Sequence, residues 1–184
     1  KYPLRIDADE YQSYFRNLKN IEYMKKYLKK EFFDQFICLR SGGENILERK
    51  KIIKLLEKKY IDKKLSVHKY LNNSKILICT YPETAFLEGL LSGPTILINN
   101  FTRVPLNDTD NNIHKKLIDN KISFNSIEEA VLHLNNVAND PYIWWHSEGV
   151  QNTVSEFRQT FCRIENEPIN SWKNFIREEL DKMI

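Results

Sequence analysis

The segment Thr80-Tyr81-Pro82-Glu83-Thr84 combines side-chain hydroxyls with residues that begin a helix. Thr80 follows an apolar run, and Pro82 suits the first turn of a helix, where its fixed φ and missing N–H are tolerated. A helix that begins beside the end of a strand directs free backbone N–H groups and a partial positive charge outward, and both favour phosphate. The segment therefore predicts a phosphate-binding turn.

Two side chains of the following helix extend this prediction. Thr84 and Glu88 are four residues apart, so they share one face of the helix. The Thr84 hydroxyl can bond a phosphate oxygen, and the Glu88 carboxylate can accept from ribose hydroxyls. The pair favours a nucleotide as the ligand. Helix capping is the alternative for Thr80 and Glu83, because they have the spacing of a capping box.

A parallel sheet would position these residues. Apolar runs rich in β-branched residues occur at 75–80 and 94–99, with a predicted helix at 83–91 between them. Such a βαβ unit has parallel strands, a right-handed crossover and burial on both faces. In parallel sheets ligands bind beyond the carboxyl ends of the strands. The pattern predicts an α/β fold with a Rossmann-like parallel sheet flanked by helices.

Apolar spacing predicts the remaining elements. Helical spacing occurs in the segments 2–30, 45–59, 113–118, 126–137, 144–161 and 168–184. Ser126 and Glu129 have the spacing of a capping box at the start of the segment 126–137. In the predicted helix at 83–91, the apolar residues expected to pack on the sheet are Phe86, Leu87, Leu90 and Leu91. Further strands are predicted at 32–40, 65–67 and 120–124. We expect residues 1–140 to form the α/β domain and residues 141–184 to form a helical extension that packs on it.

The composition excludes several classes of protein. The net charge is only +3, with Lys and Glu intermixed, so the sequence lacks the basic stripe of a nucleic-acid-binding module. Cys38, Cys79 and Cys162 lack the spacing of a zinc site or a disulfide framework. No apolar run is as long as a membrane span. We expect no metal, no cofactor and no nucleic-acid partner, and a cytoplasmic location that leaves open a peripheral contact with the inner face of the membrane.

Histidine and tryptophan residues add weaker candidates. The histidines, which are His68, His114, His133 and His146, are scattered along the sequence and are interpreted as surface or helix-face residues rather than catalytic bases. His114 comes nearest to a functional position, because its loop follows the strand at 94–99 and could overhang the site. One of Trp144 and Trp145 is interpreted as an anchor for the helical extension and the other as partly exposed, and a stacking platform for a base or sugar is the alternative.

Several segments occur together in a fixed order. They are the strand end Leu39-Arg40, then Thr80-Tyr81, Thr84, Phe86-Leu87-Glu88, Pro94-Thr95-Ile96, and a tail from Trp144-Trp145 to Phe161-Cys162. In this order and spacing they resemble a family of bacterial surface-carbohydrate transferases over about residues 2–162. A more distant resemblance is to glycerophosphotransferases that form polymers.

The resemblance implies the C-terminal, donor-binding half of a GT-B glycosyltransferase. Its substrate would be a nucleotide-activated sugar for bacterial surface polysaccharide synthesis. Carried over residue by residue, the nucleotide site comprises Arg40, Thr80, Tyr81, Thr84 and Glu88. Thr84 would contact the donor phosphate, Glu88 the ribose, and Arg40 would pair with a diphosphate. The resemblance assigns no catalytic residue.

Two departures from the family pattern favour a second hypothesis. Pro82, Glu83 and Ala85 replace small polar residues, and Ser41-Gly42-Gly43 replaces an aromatic-proline continuation. Both fall on the phosphate side. The alternative is a non-catalytic interaction module that kept the fold and lost nucleotide binding. A receiver-like regulatory domain ranks last, because Asp7 and Asp9 are too isolated to form an acidic cluster.

The resembled family also sets an expectation about chain length. In that family a strand and a whole acceptor-binding domain precede the segment that matches residues 2–6. We therefore expect a C-terminal portion of a longer protein, or a natural truncation, without the first strand of its sheet. Because GT-B chemistry takes place between two domains, this portion alone is expected to be inactive. The N-terminal acceptor-binding domain of the same protein would be its partner.

Overall fold

The computed structural model describes residues 8–39, 46–57, 60–61, 70–71, 73–82, 84–99, 108–162 and 167–182. In these residues the strands are β1 (Cys38–Leu39), β2 (Tyr60–Ile61), β3 (Leu77–Cys79), β4 (Thr95–Ile98) and β5 (Ser123–Phe124). The helices are α1 (Ala8–Tyr27), α2 (Lys30–Phe33), α3 (Ile46–Leu56), α4 (Thr84–Ser92), α5 (Asp108–Asp119), α6 (Ile127–Val137), α7 (Pro141–Trp145), α8 (Glu148–Phe161) and α9 (Pro168–Asp181).

The strands form parallel pairs. β3, β4 and β5 make one sheet in that order, with Cys79 beside Leu97 and Ile98 beside Phe124. β1 and β2 make a separate parallel pair. Helix α4 connects β3 to β4, and α5 lies between β4 and β5, since parallel strands need crossover connections. The predicted α/β class and the parallel βαβ unit are confirmed.

Helices cover both faces of the three-stranded sheet. Ile96 and Ile98 of β4 belong to a core with residues of α1, α3 and α6. Leu97 points to the opposite face and belongs to a core with residues of α4, α5 and α8. Every residue of β4 is buried. Burial on both faces explains why this strand is a continuous apolar run in the sequence.

Helix α4 lies very close to the sheet at Gly89. A Cβ atom at this position would be 2.5 Å from Leu77 Cδ2 and 2.7 Å from Thr95 Oγ1. Phe86, Gly89 and Leu90 form the buried face of the helix, whereas Leu91, which the apolar pattern placed on the sheet, is exposed. The missing side chain allows the close approach that places the start of α4 at the end of β3.

The strand predicted at 32–40 is wrong over most of its length. Helix α2 occupies Lys30–Phe33, and only Cys38–Leu39 is extended. The rings of Phe33 and Phe36 stack with centroids 5.8 Å apart and pack against the core beside α1 and α3. A short apolar run fits either a strand or a helical turn, and the packing decides between them. The strand predicted at 65–67 lies outside the described residues.

Helix α6 begins at the predicted capping box. Ser126 is its N-cap, and Ser126 Oγ accepts a hydrogen bond from the Glu129 backbone N–H at 3.3 Å. This bond satisfies one of the backbone donors that the first turn of a helix leaves without a partner. The predicted helix at 126–137 is confirmed.

The first part of the C-terminal extension packs on the sheet layer. Trp145 is 5% exposed, and Val150 and Val154 of α8 are buried with it. Trp144 is partly buried and donates its indole N–H to the Asn120 backbone oxygen at 3.1 Å. The anchoring role interpreted for these tryptophans agrees with these contacts. Every described residue of α9 is exposed, and the domain boundary at residue 140 stays a prediction.

A helix that crosses a membrane must be both long and apolar. Among the described residues, no helix combines the length and the apolar character that crossing a membrane requires.

Candidate functional site

The turn after β3 lies at the carboxyl edge of the parallel sheet. Thr80 directly follows Cys79 and is partly buried, while Tyr81 is 52% exposed. Helix α4 begins at Thr84, whose side chain is exposed. The first backbone N–H groups of a helix have no partner within the helix, so at this edge they are available to a cap or to a ligand. Glu83 lies outside the described residues, so the capping-box alternative stays untested.

Glu88 lies one turn into α4 on the same side as Thr84. The buried residues Phe86, Gly89 and Leu90 occupy the other side of the helix. Glu88 is partly buried, and its backbone oxygen accepts from Ser92 Oγ at 2.8 Å. A hydroxyl and a carboxylate therefore lie in succession along one side of the helix, in the order that the sequence predicted.

Arg40, which was predicted to pair with a diphosphate, is not among the described residues. β1 ends at Leu39, and Arg40 is the first residue outside the described part of the chain there. Its pairing with a diphosphate stays a prediction.

Asn99 is a candidate that the sequence patterns did not identify. It follows β4 as Thr80 follows β3, and only 4% of its surface is exposed. Its backbone N–H donates to the Phe124 oxygen at 2.7 Å, and its side-chain Nδ2 lies 3.3 Å from Nε2 of His114. An asparagine after a strand is an ordinary turn residue, so nothing in the local sequence distinguished it.

His114 lies nearest to the proposed site among the histidines of the described segments. Its ring, on α5, is partly buried, and this burial lowers its pKa. His133 packs against Trp144 instead, and burial together with the Lys121 charge lowers its pKa to about 4. His146 is exposed and stacks on Tyr142. His114 contacts Asn99, which follows β4, and its approach to the turn at Thr80 stays a prediction.

The described residues supply no evident nucleophile or metal site. Burial raises the pKa of the Cys79 thiol to about 12, so this thiol stays protonated and unreactive at neutral pH. Within the described segments, no three His, Cys, Asp or Glu residues lie close enough together to hold a metal ion. The arrangement at this edge is suited to binding: it combines helix N–H groups, hydroxyls, a carboxylate and an amide.

A groove of about 580 Å³ opens at the same edge of the sheet, beyond β5. Arg16, Lys19 and Tyr23 of α1 line one side, and Asn125 and Ser126 line the other. The groove is large enough for a small molecule. It is two strands away from the turn at Thr80, on the face of the sheet that α1 covers.

The chain was compared with protein families, curated proteins and solved structures. No curated protein and no solved structure matches it. The family described as LIC12162 family transferase matches residues 7–176, which include the sheet, the turn at Thr80 and the helical extension as far as α9. Because the match spans nearly all of the 184 residues, this chain belongs to the LIC12162 family of transferases.

Proposed function

We propose that this transferase-family chain binds a nucleotide-activated sugar at the carboxyl edge of β3 and β4. The observation that carries the proposal is the parallel β3–α4–β4 unit, in which Thr80 directly follows β3 and Thr84 and Glu88 lie on one side of α4. Open parallel sheets of the Rossmann-like type bind nucleotides at this edge, beside the start of a helix. The helix start and the Thr84 hydroxyl would bind phosphate, and Glu88 would bind the ribose hydroxyls.

The charges at the site agree with the assignment of the phosphate to the start of α4 and of the ribose to Glu88. Thr84 lies at the positive end of the α4 dipole, where an anionic phosphate is stabilised. Glu88 is a full turn further along, so its carboxylate stays away from the phosphate and accepts from neutral hydroxyls. Tyr81, more than half exposed, lies where a ring could pack against the donor. Arg40 completes the proposed set as the partner of a diphosphate.

We further propose that the whole protein is a GT-B glycosyltransferase of bacterial surface polysaccharide synthesis. This chain would supply the donor-binding side of the cleft, and an acceptor-binding domain of the same protein would supply the other side. Support comes from the transferase family and from the resemblance at the turn and the tail. On this proposal the isolated chain binds the donor and does not turn it over.

Thermal unfolding with nucleotide probes tests the binding proposal. UDP-glucose, GDP-mannose and CMP-N-acetylneuraminate at about 1 mM are added to the 184-residue chain. A ligand that binds only the folded state raises the Tm, by an amount that grows with its concentration relative to its Kd. We expect at least one probe to raise the Tm. No shift with any of them would overturn the proposal.

Two variants locate the binding. Glu88→Ala is expected to weaken binding of the active probe about tenfold or more, because a hydrogen bond to a charged group contributes about 1.5–3 kcal/mol. Thr84→Val keeps the shape of the side chain and removes the hydroxyl, so a smaller loss is expected. Glu178→Ala, at an exposed carboxylate of α9, is the matched control and should bind like the wild-type chain.

A non-catalytic interaction module is the second candidate function. One observation favours it: α9 exposes five large apolar side chains, namely Ile169, Trp172, Phe175, Ile176 and Leu180. Exposed apolar patches of this kind often mark interaction surfaces. This candidate predicts that no nucleotide probe shifts the Tm of the wild-type chain, and that Glu88→Ala unfolds at the same temperature with and without each probe.

A further inference from the structure

The side chain of Asn99 contains a buried polar atom whose hydrogen-bonding capacity is not used. Asn99 Nδ2 lies 3.3 Å from His114 Nε2, but Asn99 Oδ1 is buried and has no hydrogen-bond partner among the residues that the structure describes. A buried carbonyl without a partner costs about 1–3 kcal/mol, so such groups are rare in folded proteins and need an explanation. We therefore asked which ligand group could satisfy it.

The position of Asn99 relates it to the proposed donor site. Cys79 lies beside Leu97, so Thr80 is level with Ile98 and Asn99 is one residue further at the same edge. Neighbouring strands are about 4.8 Å apart. Asn99 and Leu97 point to the same face of the sheet, which α4 and α5 cover. The amide therefore lies beside the turn where the phosphate and ribose are proposed to bind.

Asn99 and His114 together form an uncharged pair. Burial lowers the pKa of His114, so its ring is neutral at neutral pH. With Nε2 accepting from Asn99 Nδ2, the ring proton lies on Nδ1, and Nδ1 is a donor. The pair can then offer one acceptor, Asn99 Oδ1, and one donor. In the other orientation of the Asn99 side chain, Oδ1 and Nδ2 exchange places, and the group without a partner is then Nδ2, which is a donor.

A hydroxyl group fits both orientations of the amide, because it donates and accepts. A phosphate oxygen only accepts, and an uncharged pair gives it no ionic attraction. We propose that Asn99, held in place by His114, binds a hydroxyl of the sugar part of the nucleotide-activated donor. This inference rests on the proposed function and deepens it: α4 binds the nucleotide, and the end of β4 selects the sugar.

The test compares each nucleotide sugar with the nucleotide that lacks the sugar. Calorimetric titration measures the Kd of UDP and UDP-glucose, GDP and GDP-mannose, and CMP and CMP-N-acetylneuraminate. We expect at least one nucleotide sugar to bind the wild-type chain more tightly than its nucleotide. In Asn99→Leu we expect the Kd of that nucleotide sugar to rise about three- to tenfold, the effect of one neutral hydrogen bond. The Kd of the nucleotide alone should stay within about twofold, because that part binds α4.

The unliganded Asn99→Leu chain provides a second measurement. Leu removes the unsatisfied carbonyl but also the hydrogen bond to His114 Nε2, and these opposite effects should leave its Tm close to that of the wild-type chain. A purely structural asparagine would instead lower the Tm and weaken both ligands together. His114→Gln keeps an acceptor for Asn99 Nδ2 and should retain sugar binding better than His114→Leu does. Asn125→Leu, at the exposed asparagine that follows β5, is the matched control.

The possible failures differ. If a nucleotide binds and its sugar adds no affinity, or if Asn99→Leu weakens nucleotide and nucleotide sugar equally, the inference about Asn99 is wrong while the proposed function stands. If neither kind of probe binds the wild-type chain, the proposed function fails and the inference fails with it.

Discussion

His133 of α6 packs between two aromatic side chains. Its ring centroid is 5.4 Å from that of Phe124 and 4.8 Å from that of Trp144. Burial, and to a lesser extent the charge of Lys121, lowers its pKa to about 4. Nε2 is buried and has no hydrogen-bond partner in the described part of the chain. At neutral pH this histidine therefore acts as an uncharged packing group, and protonating it in place would put a charge into the core.

We predict that folding stability decreases as the pH falls from about 6.5 to about 4. The unfolded chain takes up a proton near pH 6.5, whereas folded His133 takes it up only near pH 4, so acid favours the unfolded state in this window. His114, with its lowered pKa, acts in the same direction. His133→Phe keeps an aromatic ring and should lose less Tm between pH 7 and pH 5. His146→Phe is the control, and equal pH profiles for all chains would contradict the prediction.

Helix α4 lies close to the sheet because Gly89 has no side chain. At Gly89 a Cβ atom would collide with Leu77 and Thr95, which belong to the two strands that α4 connects. In an isolated helix, alanine is favoured over glycine by about 1 kcal/mol. Here the space between helix and sheet is already filled, and overpacking of a core costs about 1–3 kcal/mol. The free-energy cost of overpacking is therefore expected to exceed the gain in helix propensity.

We predict that Gly89→Ala lowers the free energy of unfolding by about 1–2 kcal/mol, measured by urea denaturation. Because α4 or the side chains of Leu77 and Thr95 must shift to make room for the Cβ atom, the proposed donor site at the start of α4 should also bind the active nucleotide probe more weakly. Gly93→Ala is the matched control, because no atom lies within 4 Å of its Cβ position. It should stay within about 0.5 kcal/mol of the wild-type chain. A Gly89→Ala chain as stable as the control would show that the helix yields without cost.

At the scale of the whole molecule, the two parts of the C-terminal extension differ. Lys116 of α5 pairs with Glu156 of α8 at 2.7 Å, and Asn120 Nδ2 donates to Thr153 Oγ1 at 3.0 Å. These contacts and the buried Val150 attach α8 to the sheet layer. By contrast, every described residue of α9 is exposed. Stability therefore depends on α7 and α8, and α9 adds no buried surface in the described part of the chain.

We predict that a chain ending at residue 166 unfolds at nearly the same urea concentration as the full chain. Its free energy of unfolding should differ by about 0.5 kcal/mol or less, as for changes at exposed sites. Trp145→Ala should lose about 3–5 kcal/mol, because it empties a buried position between α8 and the sheet. A comparable loss on removing residues 167–184 would contradict the prediction, since it would mean that α9 packs on the body in solution.

Several elements follow from local sequence alone. The apolar runs at 75–80 and 94–99, with the helix between them, predicted the parallel unit. The spacing of Ser126 and Glu129 predicted the start of α6. These predictions succeed because each depends on residues close in sequence: strand burial, helix capping and the position of a turn are local properties.

Other features depend on contacts between distant residues. The aromatic run at 32–40, predicted as a strand, begins with a helical turn instead, because Phe33 and Phe36 pack against α1 and α3. Asn99 and Asn125 each follow a parallel strand, yet Asn99 is buried and Asn125 is exposed. The difference arises because α5 returns over β4 and brings His114 onto Asn99, fifteen residues away. Local sequence thus determined the start of α6 and the parallel β3–α4–β4 unit, and with it the carboxyl edge of the sheet. Only the tertiary structure decided which polar side chains are buried there, since burial depends on the helix packed above each strand.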